Sequence, residues 1–198
     1  MQSLVEHART FTEHVAANAK DFERLAHGQA PEVLFVSCSD SRVVPSLFTG
    51  ARPGQLFELR TAGNIVPPYP THDRPAGEAA TIEYALRMLQ VRDIVVCGHS
   101  HCGAVGAVVR GDDLSSMPAV RDWLAHATDG RTSAPGADNL PQAVQAHALA
   151  QLDTLRGYPA VRERLQEGTL GLHAWYYEVD TGSVSVHRPE SGPSFGRL

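Results

Sequence analysis

Two short segments of the sequence combine side chains that could perform chemistry. The first, "CSDSR", contains Cys38, Asp40 and Arg42, and the second, "GHSHCG", contains His99 and Cys102. A histidine and a cysteine three residues apart at a strand-to-helix turn can ligate one metal ion, and Cys38 can approach from a neighbouring strand end. Two thiolates and one imidazole favour Zn²⁺. Three protein ligands leave the fourth tetrahedral position open, as in catalytic zinc sites.

The carboxylate of Asp40 is the obvious candidate for that fourth metal position. Arg42 can instead bind Asp40 in a two-pronged ion pair and keep its carboxylate off the metal. We expect this pairing. Because a centre with two thiolates is nearly neutral, it acidifies bound water less than three histidines would, so we also expect activity to rise towards mildly alkaline pH.

Two other types of active site fit these two sequence segments less well. Gly98-His99-Ser100 resembles the start of the G-x-S-x-G turn of serine esterases, but Cys102 stands where the second glycine is needed. "CSDSR" also places Cys38 and Arg42 too close together for a loop of backbone amides around phosphate, and Asp40 would repel that anion. The metal interpretation uses more of the residues, although the esterase remains an alternative.

Hydrophobic periodicity indicates the elements that must position these residues. It predicts strands over 32–38, 54–60 and 92–98 and a C-terminal hairpin of strands over 170–179 and 183–188. It also predicts helices over 3–27, 76–90, 103–111 and 140–156, and two further helices that begin at 118 and 159. This alternation predicts an α/β fold with a mostly parallel sheet flanked by helices and an antiparallel C-terminal edge hairpin. Ligands of such sheets bind beyond the carboxyl ends of the strands, where both chemical segments fall.

Composition and charge indicate which kinds of binding partner and which cellular location to expect for the protein. The 198 residues suggest one domain, with a helical arm over 1–30 and an α/β core over 31–198. A net charge of -5 gives no reason to expect nucleic acid, and no apolar run approaches the length of a membrane span. With three cysteines and no secretory signal pattern, we expect a cytoplasmic protein without a disulfide framework.

The two chemical segments, with "RTAGNIVPPY" and "EAATIEYAL" between them, closely resemble the β-class carbonic anhydrases. The resemblance implies reversible hydration of carbon dioxide to bicarbonate and a proton. It also implies one Zn²⁺ per chain on Cys38, His99 and Cys102, and a catalytic pair of Asp40 and Arg42. In some members of this family the aspartate itself binds zinc; in others it accepts a hydrogen bond from zinc-bound water.

The resemblance further implies a substrate pocket and a subtype. The plant-like subtype places an amide, an aromatic ring and a tyrosine around carbon dioxide across a dimer interface, which correspond here to Gln29, Phe57 and Tyr84; Ala62 and the backbone of Gly103 complete the set. We therefore expect a homodimer or a higher even oligomer.

The bicarbonate-regulated subtype has a tryptophan at the position of Phe35, with an arginine and a tyrosine for which Arg60 and Tyr177 are the candidates. Because Phe35 lacks an indole N–H, we expect an open site without that regulation. Hydrolysis of carbonyl sulfide or carbon disulfide on the same site, and a zinc-binding sensor without turnover, remain alternatives. His72 is only a weak candidate for a proton shuttle.

Overall fold

The computed structural model describes residues 1–70, 76–127 and 139–198 and arranges their strands in one mixed sheet. The strands are β1 (Val33–Cys38), β2 (Leu56–Thr61), β3 (Asp93–His99), β4 (Gly171–Tyr177), β5 (Val184–His187) and β6 (Phe195–Arg197). Their order is β2-β1-β3-β4-β5-β6, with the first four parallel and β5 and β6 antiparallel to their neighbours. This confirms the predicted fold class. The short edge strand β6 was not predicted.

The helices agree with the predicted pattern except at two places. They are α1 (Gln2–Ala17), α2 (Ala19–Leu25), α3 (Pro45–Thr49), α4 (Gly77–Arg87), α5 (Gly103–Arg110), α6 (Pro118–Leu124), α7 (Leu140–Arg156) and α8 (Pro159–Gln166). The single helix predicted over 3–27 is wrong, because the chain leaves helical geometry at Asn18. The Asn18 amide donates to the carbonyl of His14 at 2.9 Å, a local bond of the kind that competes with helix continuation. The short α3 was not predicted.

The two central strands are buried on both faces. Leu34 and Val36 of β1 join the larger core cluster together with residues of α4, α7 and α8, whereas Phe35 between them lies in a cluster with Val43 and Tyr177. The same alternation holds along β3. A strand covered on both faces needs apolar side chains in both directions, which explains the continuous apolar runs in the sequence.

The strand order creates a crevice between β1 and β3. The sheet continues outward from β1 to β2 on one side and from β3 to β4 on the other, so the order reverses between the two central strands. The register pairs Ser37 with Cys97, which brings Cys38 and His99, the last residues of β1 and β3, to the same edge of the sheet. This is the position where open α/β sheets bind ligands.

Within the described ranges, every helix is too short or too polar to cross a bilayer.

Candidate metal centre

Three buried donor atoms converge at the crevice. The sulfurs of Cys38 and Cys102 and a ring nitrogen of His99 all lie within 4.8 Å of one another. Their side chains are almost closed to solvent, with relative exposures of 6%, 1% and 0%. Cys38 and His99 end neighbouring strands and Cys102 directly precedes α5, so rigid elements fix all three.

The hydrogen bonding of His99 leaves one ring nitrogen free to ligate. Nδ1 lies 2.9 Å from the carbonyl oxygen of Ser100, an acceptor only, so Nδ1 carries the proton. Nε2 is then an unprotonated acceptor, and it is buried without a hydrogen-bond partner among the described residues. A buried polar atom left unpaired is costly, and a metal ion would satisfy it. The donor set of two sulfurs and one imidazole therefore fits Zn²⁺.

The two thiols influence each other strongly. A hydrogen bond from the Cys102 thiol lowers the pKa of Cys38, and burial opposes this effect only in part. The same contact raises the pKa of Cys102, and burial adds to that rise. The backbone N–H of Gly63 also donates to the Cys38 sulfur at 3.3 Å. The Gly63 N–H therefore favours a thiolate at Cys38. Cys97 is separate from this pair: it is fully buried, and burial raises its pKa.

Asp40 and Arg42 form the expected two-pronged ion pair. Nε and Nη2 of Arg42 donate to the two carboxylate oxygens at 2.9 and 2.7 Å, and the Arg42 backbone N–H adds a third bond at 2.9 Å. These bonds hold the pKa of Asp40 well below its usual range, although partial burial opposes them. Arg42 Nη2 also donates to the carbonyl of His101 at 3.2 Å, which ties the pair to the segment between His99 and Cys102.

Arg60 holds the loop that follows Cys38. Its guanidinium donates to the carbonyl oxygens of Cys38, Asp40 and Val43 at 3.0, 2.9 and 2.7 Å. Sequence reasoning considered Arg60 only for a bicarbonate site and missed this role. No local signal indicates this role, because the pairing of Ser37 with Arg60 across β1 and β2 is visible only in the register of the sheet.

Phe35, Tyr177 and Arg60, the candidates for a bicarbonate site, make structural contacts. The two aromatic rings pack in the core, and Arg60 holds the loop that follows Cys38. The ring of Phe35 packs edge-on against Phe48 and Trp175, and Tyr177 stacks on Phe48 with ring centroids 4.4 Å apart. Nε and Nη2 of Arg60 donate to three backbone carbonyls, so within one chain the contacts of these residues are structural.

The predicted substrate residues fall into two groups. Ala62 follows Thr61, the strand partner of Cys38, and Gly103 follows Cys102, so both flank the centre. Phe57 instead pairs with Leu34, four residues before Cys38, which places it about 13 Å away along the sheet.

Tyr84 lies beside Phe57, with ring centroids 5.9 Å apart, and Gln29 lies exposed after α2. Within one chain, therefore, Phe57 and Tyr84 stand well away from the metal donors. The weak shuttle candidate His72 lies outside the described residues.

Ser100, the nucleophile of the esterase alternative, has a structural contact. Its buried hydroxyl accepts a hydrogen bond from the backbone N–H of Val179 at 2.9 Å, while the neighbouring His99 ring is held by a carbonyl. A nucleophilic serine requires an adjacent general base that accepts its proton, and the described contacts of the Ser100 hydroxyl include none. This geometry supports the metal interpretation rather than the esterase.

Comparisons with known proteins agree with the geometry. The sequence model of the carbonic anhydrase family matches residues 33–184. A carbonic anhydrase of Synechocystis sp. is 43% identical over 196 residues, covering 94% of this chain and 71% of that protein. The solved β-carbonic anhydrase CcaA superposes with a TM-score of 0.90 at 40% identity, covering 100% of this chain and 99% of that chain.

A tetrameric β-carbonic anhydrase of Sordaria macrospora superposes with a TM-score of 0.71 at 30% identity, covering 93% of this chain and 94% of that chain. The matches extend over the strands and turns that carry the three donor atoms. The chain therefore belongs to the β-carbonic anhydrases, enzymes whose general reaction is the hydration of carbon dioxide.

Proposed function

We propose that the chain catalyses zinc-dependent, reversible hydration of carbon dioxide to bicarbonate and a proton, with one Zn²⁺ held by Cys38, His99 and Cys102. The observation that carries this proposal is the set of three buried donor atoms within 4.8 Å. His99 Nε2 supports it, because this buried atom has no described protein partner. Zinc bound there would supply a Lewis acid that makes water nucleophilic near neutral pH.

Asp40 and Arg42 have separate tasks in this reaction. Because Arg42 keeps Asp40 ionised, its carboxylate can accept a hydrogen bond from the attacking water and orient it towards the carbon of carbon dioxide. Because both carboxylate oxygens are held by Arg42, Asp40 is restrained from becoming the fourth metal ligand. We therefore propose the open arrangement of the site for this chain.

We further propose that the active site is shared between two copies of the chain, in a dimer or a higher even oligomer. Phe57 and Tyr84 lie too far from Cys38 to line its pocket within one chain, and Tyr84 is 46% exposed. Helices α1 and α2 contain no buried residue, although Leu4 and Phe11 are large and apolar. A second copy would cover these surfaces and add Gln29, Phe57 and Tyr84 to the pocket.

A complementation experiment tests the shared pocket. Cys38→Ser removes a metal ligand and Tyr84→Ala removes a pocket residue, so each homodimer should lose activity. Coexpression of the two variants should restore activity, because in the mixed dimer the Tyr84→Ala chain keeps Cys38 and receives Tyr84 from its partner. Light scattering gives the oligomeric state. A monomer, or a mixture no more active than its parents, would contradict the shared site.

Zinc analysis with stopped-flow assays tests the reaction itself. We expect about one zinc per chain and rapid hydration of carbon dioxide, both lost in Cys38→Ser. Cys97→Ser is the matched control, because it makes the same change at a buried cysteine outside the donor set. Zinc without turnover would indicate a sensor, and faster turnover of carbonyl sulfide or carbon disulfide would indicate the hydrolase.

Because the two ligand thiols must stay reduced, we propose a cytoplasmic location.

A further inference from the structure

The peptide group between Ala62 and Gly63 connects a distant tryptophan to a sulfur of the metal centre. Its N–H donates to the sulfur of Cys38 at 3.3 Å. Its carbonyl oxygen accepts a hydrogen bond from the indole N–H of Trp123, on α6, at 2.9 Å. Consecutive hydrogen bonds through one peptide polarise each other, so the indole strengthens the N–H as a donor to sulfur.

A second contact fixes the same turn from α7. The carbonyl oxygen of Gly63 lies 2.8 Å from Nε2 of His147, which must donate because a carbonyl can only accept. The other ring nitrogen then accepts from the side-chain amide of Gln151 at 3.5 Å, and the Gln151 oxygen accepts from the backbone N–H of Val66 at 2.8 Å. These bonds connect the turn to α7 through a chain of buried polar groups, which favours one orientation of the turn.

Gly63 needs this support because its backbone is unusual. Its φ is +72°, in the left-handed region, and Asn64 beside it has a φ of +49°. Rotation about the bonds of Gly63 would turn the N–H away from Cys38. His147 holds the carbonyl on one side of Gly63, and Trp123 holds the peptide on the other.

We propose that Trp123 and His147 are positioning residues for the metal centre, which fix the Ala62–Gly63 peptide so that its N–H donates to the Cys38 thiolate. A donor to a metal-bound thiolate reduces the electron density that the sulfur gives to the ion, and so makes the ion a stronger Lewis acid. This inference rests on the proposed zinc site. Neither side chain touches the substrate in this scheme.

Cobalt(II) substitution tests the proposal without relying on turnover. In the Co²⁺ protein, the sulfur-to-metal charge-transfer band reports the electron density on the thiolates. Trp123→Phe keeps the ring and removes the indole N–H, so we expect the band to move to longer wavelength. Trp175→Phe is the matched control, because Trp175 is also half-buried but lies on β4, packed against Phe35.

His147 provides a rescue experiment on the same turn. His147→Leu removes the donor to Gly63, whereas His147→Gln keeps an N–H at a similar reach. We expect Trp123→Phe and His147→Leu to bind zinc about 2- to 10-fold more weakly in chelator competition, because losing the hydrogen bond that holds the Cys38 sulfur in place outweighs the stronger donation from the sulfur. His147→Gln should stay close to wild type. The activity profiles of the two weakened variants should also shift towards alkaline pH.

The outcomes separate this proposal from that of the zinc enzyme. The positioning role alone would be overturned by one combination of results. In it, the wild-type protein binds metal and hydrates carbon dioxide, and Trp123→Phe and His147→Leu match Trp175→Phe in band position and affinity. A wild-type protein that binds no metal would overturn both. Thermal unfolding of the metal-free variants measures the purely structural cost, and if His147→Leu fails to fold, Trp123→Phe still decides the question.

Discussion

Gly63→Ala should destabilise the protein more than the same change at a glycine of equal backbone geometry. Gly63 has a φ of +72°, and a Cβ atom there would lie 3.0 Å from the Cβ of Ala104. Gly50 has a φ of +69°, but its Cβ would meet nothing within 4 Å. Gly50→Ala thus measures backbone strain alone, and Gly63→Ala measures strain together with a steric contact.

The expected sizes follow from these two terms. An alanine in the left-handed region costs about 1–2 kcal/mol of the free energy of unfolding at either site. The close contact with Ala104, inside a packed turn, adds about 1–3 kcal/mol at Gly63 only. The lower entropy of alanine in the unfolded chain offsets both variants equally. Gly63→Ala should therefore be less stable than Gly50→Ala by about 1–3 kcal/mol.

Urea unfolding followed by circular dichroism measures this difference. Protein concentration is held constant, because association of the chains would shift the midpoint. The double variant Gly63→Ala/Ala104→Gly removes the contact, and a double-mutant cycle should return the contact energy as a favourable coupling. Equal losses for the Gly63 and Gly50 variants, or a coupling of zero, would refute the view that this turn is tightly packed on α5.

Three further changes have effects whose sign the structure determines. Arg42→Met should raise the pKa of Asp40 towards its ordinary value of about 3.9 in a carboxyl NMR titration, and an unchanged value would contradict the ion pair. Because the paired carboxylate has a lowered pKa in the folded state, the ion pair stabilises the fold above about pH 4, and this stabilisation is lost as the pH falls further. The free energies of unfolding of wild type and Arg42→Met should therefore differ most near neutral pH. Tyr158→Phe should lose about 1–2 kcal/mol in urea unfolding, because the buried hydroxyl donates to the carbonyl of Pro67 at 2.7 Å; no loss would mean that this bond is dispensable. Burial lowers the pKa of His147, so the unfolded chain binds more protons than the folded chain and the free energy of unfolding should fall below about pH 6.5. Unfolding curves measured across pH should show a smaller pH dependence for His147→Gln. An identical pH dependence would assign the effect to other groups.

The sheet could be predicted from the sequence because its central strands carry a strong signal. Strands β1 and β3 are buried on both faces, so they appear as short, uninterrupted apolar runs, and the donor-rich segments follow directly. The register and the reversal of strand order then bring Cys38 and His99 together. Strand β6 escaped notice because three residues at the end of a chain carry no measurable periodicity.

The contacts that support the centre could not be predicted in the same way. Trp123 and Ala62 are separated by 61 residues, and His147 and Gly63 by 84. Helical spacing places His147 and Gln151 on the buried face of α7, but it does not show which polar groups pair with them there. They can be buried because polar groups of the turn over 62–66 pair with them: the Gly63 carbonyl accepts from His147, and the Val66 N–H donates to Gln151. Tertiary structure positions that turn.

The same helix supports both halves of the centre. On β3, a Cβ atom at Gly98, directly before the donor residue His99, would lie 2.6 Å from the side chain of Val144 on α7. One turn further along α7, His147 holds Gly63, whose N–H donates to the sulfur of Cys38 at the end of β1. Because α7 packs directly on Gly98 and reaches Cys38 through Gly63, a shift of this helix should change the distance between the Cys38 sulfur and the His99 ring. The geometry of the donors is therefore coupled to core packing, and substitutions that displace α7 should weaken metal binding even where they lie far from the sulfur atoms.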